Sequence, residues 1–428
     1  MHHRIPHQDC KMTAKLTFQD LTFYEMPDHV RIALLKHFYI EIEKELLKEG
    51  IGTYNIPDPH TIEFEGVMQE QAERKFYQIL GKHIDELKSI KGRNTATYVH
   101  KNSGIPLMGC LSFGIADKGT TLLEIKPITG CNMGCIFCSV DEGIGTRKTH
   151  EFVVEKDYLV QEVNKLLDYK KHQGMVIYIN SHGEPFLYAD MVGLVADLKK
   201  NKWISEIHII TNGTYLTPEL CSQLDKAGLT HLNISVSGFD AEKAKEVMGS
   251  TAYNIEKVKE IITYLTKHTK IEVIITPVVM FGINEREMGK IIVWAKQIGV
   301  KKVCIQNFLM NRRGRNPAKE LDWEKFKEFL HQLEQEHSMK LLFDLKLEKT
   351  KEYPKPFKRG EVVQAEIGTQ GRYKTEYIAV AQQRCITLPK VVQKGDNPLK
   401  KGERISVMIT KSNHNIFVGE IVHKRGRK

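Results

Sequence analysis

Apolar positions recur with two different periods along this chain, and the change from one to the other divides it. Leu34, Phe38, Ile42 and Leu46 stand four apart, as on one helix face, and Gly50 supplies a stop. The spacing predicts a helix there and a second over about 70–90, so residues 1–115 read as a small α+β unit with no assigned role. From Thr121 short apolar runs alternate with amphipathic segments. The runs 122–127, 175–180, 206–211, 231–236, 271–279 and 302–306 read as strands. The segments 158–169, 191–200, 218–227, 255–268 and 287–298 read as the helices between them, and 322–337 as one more. Six strands joined by helical crossovers predict a curved parallel sheet, a partial (β/α)6 TIM-like barrel over residues 116–345. In such folds the chemistry gathers at the C-terminal ends of the strands.

The pattern changes again after a linker marked by Pro354 and Pro356. Short runs at 362–367, 377–381, 385–392, 405–410 and 416–422 alternate with turn signals at 368–371, 395–397 and 412–415. They predict a small, closed OB-like β-barrel over residues 358–424. Charge singles out this region. The chain carries +10, and residues 355–428 hold 16 Lys/Arg against 6 Asp/Glu, so the basic and acidic residues upstream cancel. A footprint this local suits a polyanionic partner, although the final Lys424-Arg425-Gly426-Arg427-Lys428 reads equally as a solvated tail. No apolar run reaches the roughly 18 residues that cross a bilayer. The start, Met1-His2-His3-Arg4, lacks the apolar stretch of a secretory signal, so no membrane and a cytoplasmic location are expected.

Eight cysteines are too few for a disulfide scaffold, and three of them crowd into Cys131-Asn132-Met133-Gly134-Cys135-Ile136-Phe137-Cys138. Chance placement yields on the order of 0.003 such matches. Three thiolates on one loop can each take an iron of a cubane cluster and leave the fourth iron open. Zinc would want a fourth ligand nearby, and a CxxC redox pair would leave Cys131 idle. Cys10, Cys110, Cys221, Cys304 and Cys385 read as small buried hydrophobes. A second catalytic thiol at Cys304 or Cys385 stays open.

The CxxxCxxC loop after the first strand, with Phe137 before its last cysteine, resembles the signature of radical S-adenosylmethionine (SAM) enzymes, over residues from about 120 to 310. The resemblance implies a 4Fe–4S cluster on Cys131, Cys135 and Cys138, with the amine and carboxylate of SAM on the open iron. It also implies reductive release of a 5′-deoxyadenosyl radical, with electrons from a protein such as a ferredoxin or flavodoxin. Gly183-Glu184-Pro185, after the second strand, is similar to the family's Gly-Gly-Glu element. There Glu184 would accept the SAM ammonium and Gly183 would let backbone approach the ligand; the alternative is an ordinary strand-to-helix turn. His182 stands where the family commonly has a smaller residue. Asn212, in Thr211-Asn212-Gly213, fits either a site or a turn. Ser235 and Ser237 resemble ribose contacts, yet their alternation also fits a solvent-facing strand. Thr276, Pro277, Gly282 and Glu285 carry a weaker signal.

Residues 360–422 resemble a TRAM domain, a small RNA-binding barrel. The likeness rests on Lys358-Arg359-Gly360-Glu361, Gly371-Arg372-Tyr373-Lys374, Lys401-Gly402-Glu403-Arg404 and Val418-Gly419-Glu420-Ile421-Val422. It implies RNA, in particular tRNA, bound through residues 355–428, with Lys and Arg on phosphates and Tyr373, Tyr377 and Phe417 offering faces to unpaired bases. The alternative is an SH3-like barrel with its aromatics in the core. The combination resembles archaeal radical SAM–TRAM iron–sulfur oxidoreductases. Methylthiotransferases are similar but hold a second cluster on three N-terminal cysteines, whereas only Cys10 and Cys110 precede Cys131 here. An RNA-modifying radical SAM enzyme is therefore expected. The alternatives are one acting on a peptide or small molecule, with the barrel for docking, and a non-catalytic iron–sulfur RNA-binding protein. Lying in another domain, the barrel is expected to be removable without disturbing the cluster loop.

Overall fold

A computed structural model describes residues 12–90, 94–343, 347–391 and 398–422. Cys10, the turn at 395–397 and the basic 424–428 tail lie outside the described residues. The chain forms two compact units, Met1–Tyr98 and Val99–Lys428.

The first unit opens in strands where a helix was expected. Val30, Ile32 and Leu34 are buried in the strand His29–Leu34, and Phe38, Ile40 and Ile42 in its antiparallel partner Phe38–Glu43. A spacing of four is twice the strand period of two, so Leu34, Phe38 and Ile42 satisfy both templates. Helix starts only at Lys44 and ends at Gly50, which leaves Leu46 exposed. The second expected helix runs Gln69–His83 and stops well short of Ile90.

In the second unit strands and helices alternate: β1 Leu122–Lys126, α1 Lys156–Lys170, β2 Met175–Ile179, α2 Met191–Lys199, β3 Ile204–Thr211, α3 Pro218–Ala227, β4 His231–Ile234, α4 Ala241–Met248, α5 Ile255–His268, β5 Glu272–Ile275, α6 Glu285–Gln297, β6 Lys302–Val303 and α7 Trp323–His337. Strands β1 to β6 lie side by side in chain order, all parallel. The edge strand Gly114–Asp117 adds a seventh, antiparallel to β1. Ile177, Ile209, Leu232 and Ile275 are completely buried on one face. On the other, the rings of Tyr178, His208 and His231 stack across β2, β3 and β4, with centroids 4.4 and 3.9 Å apart. Together they make the curled, partial barrel expected.

The strand expected over 271–279 breaks at Thr276-Pro277, because proline has no N–H for the ladder. Val278–Val279 then pairs afresh with Gln306–Asn307, and Thr129–Gly130 pairs with His182–Gly183 beyond β1 and β2. These short second ladders fix the loops at the sheet's C-terminal edge.

The last strands, β7 Val362–Gln370, β8 Tyr377–Ala381, β9 Arg384–Leu388, β10 Arg404–Lys411 and β11 Phe417–Ile421, close in the order β7-β8-β9-β11-β10, with β9 and β11 parallel. This is the five-stranded barrel expected. Tyr377 and Phe417 sit in its core with Phe357, Ile386 and Val407, so neither presents a face to a base. The barrel is not an appendage. Cys385 N–H donates to Met108 O (2.8 Å) and Phe417 N–H to Gly109 O (2.7 Å). Gly109 is required there, because a Cβ would lie 2.1 Å from Cys385 O. Among the described residues no helix is long and apolar enough to cross a membrane.

Candidate active site

The cysteine loop leaves the short ladder with His182–Gly183 at Gly130 and is pinned along its length. Gly134 N–H donates to Met248 O (3.1 Å) and Ile136 N–H to Val247 O (3.0 Å), both at the end of α4. Gly249 follows that helix with φ +59°, and a Cβ there would lie 2.0 Å from Gly134 O; a Cβ on Gly134 would lie 2.8 Å from Gly249 O. The motif's glycine therefore answers to a second glycine more than a hundred residues away. Ile136 and Phe137 pack against the buried cluster of Val247, Met280 and Phe308, which explains the aromatic before the last cysteine.

Cys131, Cys135 and Cys138 line one cavity of about 360 Å³ together with Gly183, Glu184, Asn212 and Ser235. All three thiols are free. Backbone N–H groups point at two of them: Met133 N to Cys131 Sγ (3.4 Å) and Glu142 N to Cys138 Sγ (3.3 Å). Such donors favour the thiolate. Desolvation, then the neighbouring Cys135, pushes the Cys131 thiol well above its ordinary range, and desolvation with Cys138 pushes Cys135 up to about 12. Three adjacent thiolates repel one another, so a multiply charged metal group is the partner that suits them.

Glu184 closes the cavity beside β3. Its Oε1 accepts from Phe186 N (3.1 Å) and Thr211 Oγ1 (2.6 Å), its Oε2 from Asn212 N (2.8 Å). Burial still raises the carboxyl to about 7, against those hydrogen bonds. A positive charge in the cavity would reverse that shift. Gly183 has φ +144°, and a Cβ would collide with Gly130 O at 1.8 Å; its freedom serves the ladder with the cysteine loop. Pro185 starts the short 3-10 turn Pro185–Leu187 and does not line the cavity. Asn212 donates from Nδ2 to Asn132 Oδ1 (2.9 Å) and lies 4.0 Å from Cys131 Sγ, so it ties β3 to the cysteine loop.

Ser235 lines the cavity, but Ser237 does not: its hydroxyl is buried and accepts from Val278 N (3.0 Å). Thr276 is buried and also absent from the lining, while Ser181 Oγ and Asn307 Oδ1 line it as buried polar atoms without partners.

Arg315 was not singled out by motif. Its N–H donates to Cys138 O (2.9 Å), its Nη1 to Cys135 O (3.3 Å) and its Nε to Asp141 Oδ1 (2.9 Å). The run Arg312-Arg313-Gly314-Arg315 after the sixth strand was the available signal. The barrel reaches the same loop. Glu142, four residues past Cys138, pairs with Lys148 and with Arg372 of the barrel, all three buried. Arg372 is thus an internal ion-pair partner and no surface phosphate contact. The expectation that the barrel is separable from the cluster loop is overturned by this pairing.

A family model described as the radical SAM superfamily matches residues 125–295. An uncharacterized protein of Methanocaldococcus jannaschii is 32% identical over 79% of this chain and 83% of its own. A GTP 3′,8-cyclase of Thermodesulfovibrio yellowstonii is 28% identical over 42% of this chain, which spans about half (54%) of that enzyme's length. Among solved structures, SuiB of Streptococcus suis aligns with a TM-score of 0.43 and 14% identity, over 77% of this chain and 71% of that one.

Proposed function

The chain belongs to the radical SAM superfamily, and on that premise we propose that it cleaves SAM at a 4Fe–4S cluster in order to modify RNA, in particular tRNA. Cys131, Cys135 and Cys138 would hold the cluster, and an electron-carrier protein of the ferredoxin or flavodoxin kind would reduce it. When bound, the reduced cluster supplies the electron that splits SAM into methionine and a 5′-deoxyadenosyl radical. The cavity fits both groups. It offers three thiols on one loop, and its unpartnered Ser181 Oγ and Asn307 Oδ1 are free to bond a polar ligand. Glu184 accepts an N–H of the SAM amine, with Thr211 and the Asn212 N–H fixing its carboxylate. Ser235, which lines the cavity, would bond the ribose, and Ser237 supports Val278 instead.

The Glu184 assignment has a pH signature. An N–H of the SAM amine prefers the ionised carboxylate as its acceptor, whereas the free site holds a carboxyl with a pKa of about 7. SAM affinity should therefore be full above pH 8 and fall as pH drops through 7, to about a tenth at pH 6, with a proton released on binding. Calorimetric titration of the reconstituted protein in two buffers of different ionisation enthalpy measures both. In Glu184→Gln the overall affinity should drop by roughly 10- to 150-fold, and the pH dependence should vanish. A wild-type affinity that is flat from pH 6 to 8 would move the amine contact elsewhere.

The RNA assignment is carried by one observation: residues 355–428, the barrel with its tail, hold the chain's whole net charge, and the barrel is paired through Arg372 with Glu142 of the cysteine loop. The TRAM likeness supports it. Between barrel and core a groove of about 640 Å³ is lined by three cations, Arg312, Arg313 and Lys390, and one carboxylate, Glu420, with exposed Lys374 nearby in sequence on the barrel's first loop. Changing Arg312, Lys374 and Lys390 together to Glu should weaken tRNA binding. It should also flatten the log–log salt dependence by about 2, at roughly 0.7 per phosphate contact. Filter binding at several salt concentrations reads this; an unaltered slope would remove the groove from the RNA path.

The likeness to GTP 3′,8-cyclases favours a second reading, a small nucleotide as substrate with the barrel as a docking module. Formation of 5′-deoxyadenosine stimulated by GTP and not by tRNA would select it.

A further inference from the structure

Behind the cysteine loop, where the barrel meets the core, lies a second cavity of about 240 Å³. Lys148, His182 and Arg313 of the core line it, with Arg372, Tyr373 and Glu376 of the barrel. Arg372 is only 2% exposed. Its Nε donates to His150 O (3.0 Å) and its Nη2 to Glu142, but its Nη1 is buried without a partner. Tyr373 Oη is likewise buried and unpartnered. Native structures leave few buried donors unmade, and two on adjacent residues lining one cavity mark a place for an acceptor.

Charge agrees with the donors. Lys148, Arg313 and Arg372 converge here, and their ion-pair partners are two carboxylates, Glu142 and Glu376. Of these five groups one positive charge is left over. Burial, then Arg372, lowers the Lys148 ammonium to about 8, and burial with Lys126, Lys148 and Arg372 keeps His182 neutral. A guanidinium that still has an N–H to offer is the natural partner of a phosphate oxygen. Arg313 also stands over the Tyr373 ring, 4.8 Å from its centroid, which fixes the phenol at the cavity wall.

We infer that this cavity is a phosphate-binding site that holds a phosphate of the substrate against Arg372 and Tyr373. Ser139 and Val140 line both this cavity and the one that contains the three cysteines, so the anchored group sits next door to the chemistry. The anion site rests on the geometry alone. That the phosphate is RNA's rests on the function proposed above.

The test titrates anaerobically reconstituted full-length protein with inorganic phosphate, with tRNA and with GTP, and repeats each titration on Tyr373→Phe. That substitution removes one hydroxyl that bonds nothing in the protein, so the melting temperature should hold. Wild type is expected to bind one phosphate per chain saturably and Tyr373→Phe about tenfold more weakly, the loss of one hydrogen bond to a charged group. Binding of tRNA should weaken by a similar factor and compete with phosphate. Absence of saturable phosphate binding, or equal binding by the variant, overturns the site. Weakened phosphate binding with unaltered tRNA binding overturns the RNA assignment and leaves the anion site standing. If GTP weakens in place of tRNA, the phosphate belongs to a free nucleotide.

Discussion

Replacing Cys131, Cys135 and Cys138 together with Ala is expected to take the reconstituted protein from about four irons per chain to none and to abolish 5′-deoxyadenosine formation. No other cysteine can substitute among the described residues. Cys110 and Cys385 are buried where the 105–110 segment meets the barrel, Cys221 is buried in α3, and Cys304 follows β6; none of them lines the cavity. The fold should survive, because Ile136 and Phe137 stay seated on Val247, Met280 and Phe308. Iron assay, chromatography of the reaction products and circular dichroism read the three properties separately. Full iron content in the triple variant would refute the cluster assignment.

Glu142→Ala should be the most destabilising single substitution near the site. It strips the shared carboxylate from Lys148 and Arg372, whose side chains are 4% and 3% exposed. Breaking a buried ion pair by removing one partner costs about 3–5 kcal/mol, because the remaining charge is stranded. The loss should appear as a lower denaturation midpoint with both the barrel and the cysteine loop affected. Adding Lys148→Met to Glu142→Ala removes one of the stranded cations and should restore part of the stability. An unchanged midpoint in Glu142→Ala would mean that barrel and core are not coupled through this residue.

Much of the core was legible because its chemistry is local. The cysteine spacing lies within eight residues, and strands β1 to β4 with their helices carry strong periodicity, so the sheet order and the placement of Glu184 after β2 followed from pattern alone. What was missed is non-local or short. Helix α4 buries only Ala244, Val247 and Met248 in eight residues, too few to declare a face. Ser235 and Ser237 look identical in sequence, and only the break at Pro277 decides that Ser237 serves the Val278 backbone. The aromatic residues of the barrel divide the same way. Tyr377 and Phe417 lie in its core, while Tyr373, on a turn, reaches the cavity wall. In the first unit the error came from arithmetic, since a period of four cannot separate one helix face from two paired strands.

The interlock of Gly134 with Gly249 makes the end of α4 part of the receptacle for the cluster. Two backbones meet where neither residue can carry a side chain, and the hydrogen bonds from Gly134 and Ile136 fasten the loop to the end of α4. A side chain gained at Gly249, far from the motif in sequence, would therefore displace the loop that carries the three thiols. The cysteine spacing by itself does not define that receptacle, because two backbone hydrogen bonds to α4 set the course of the loop.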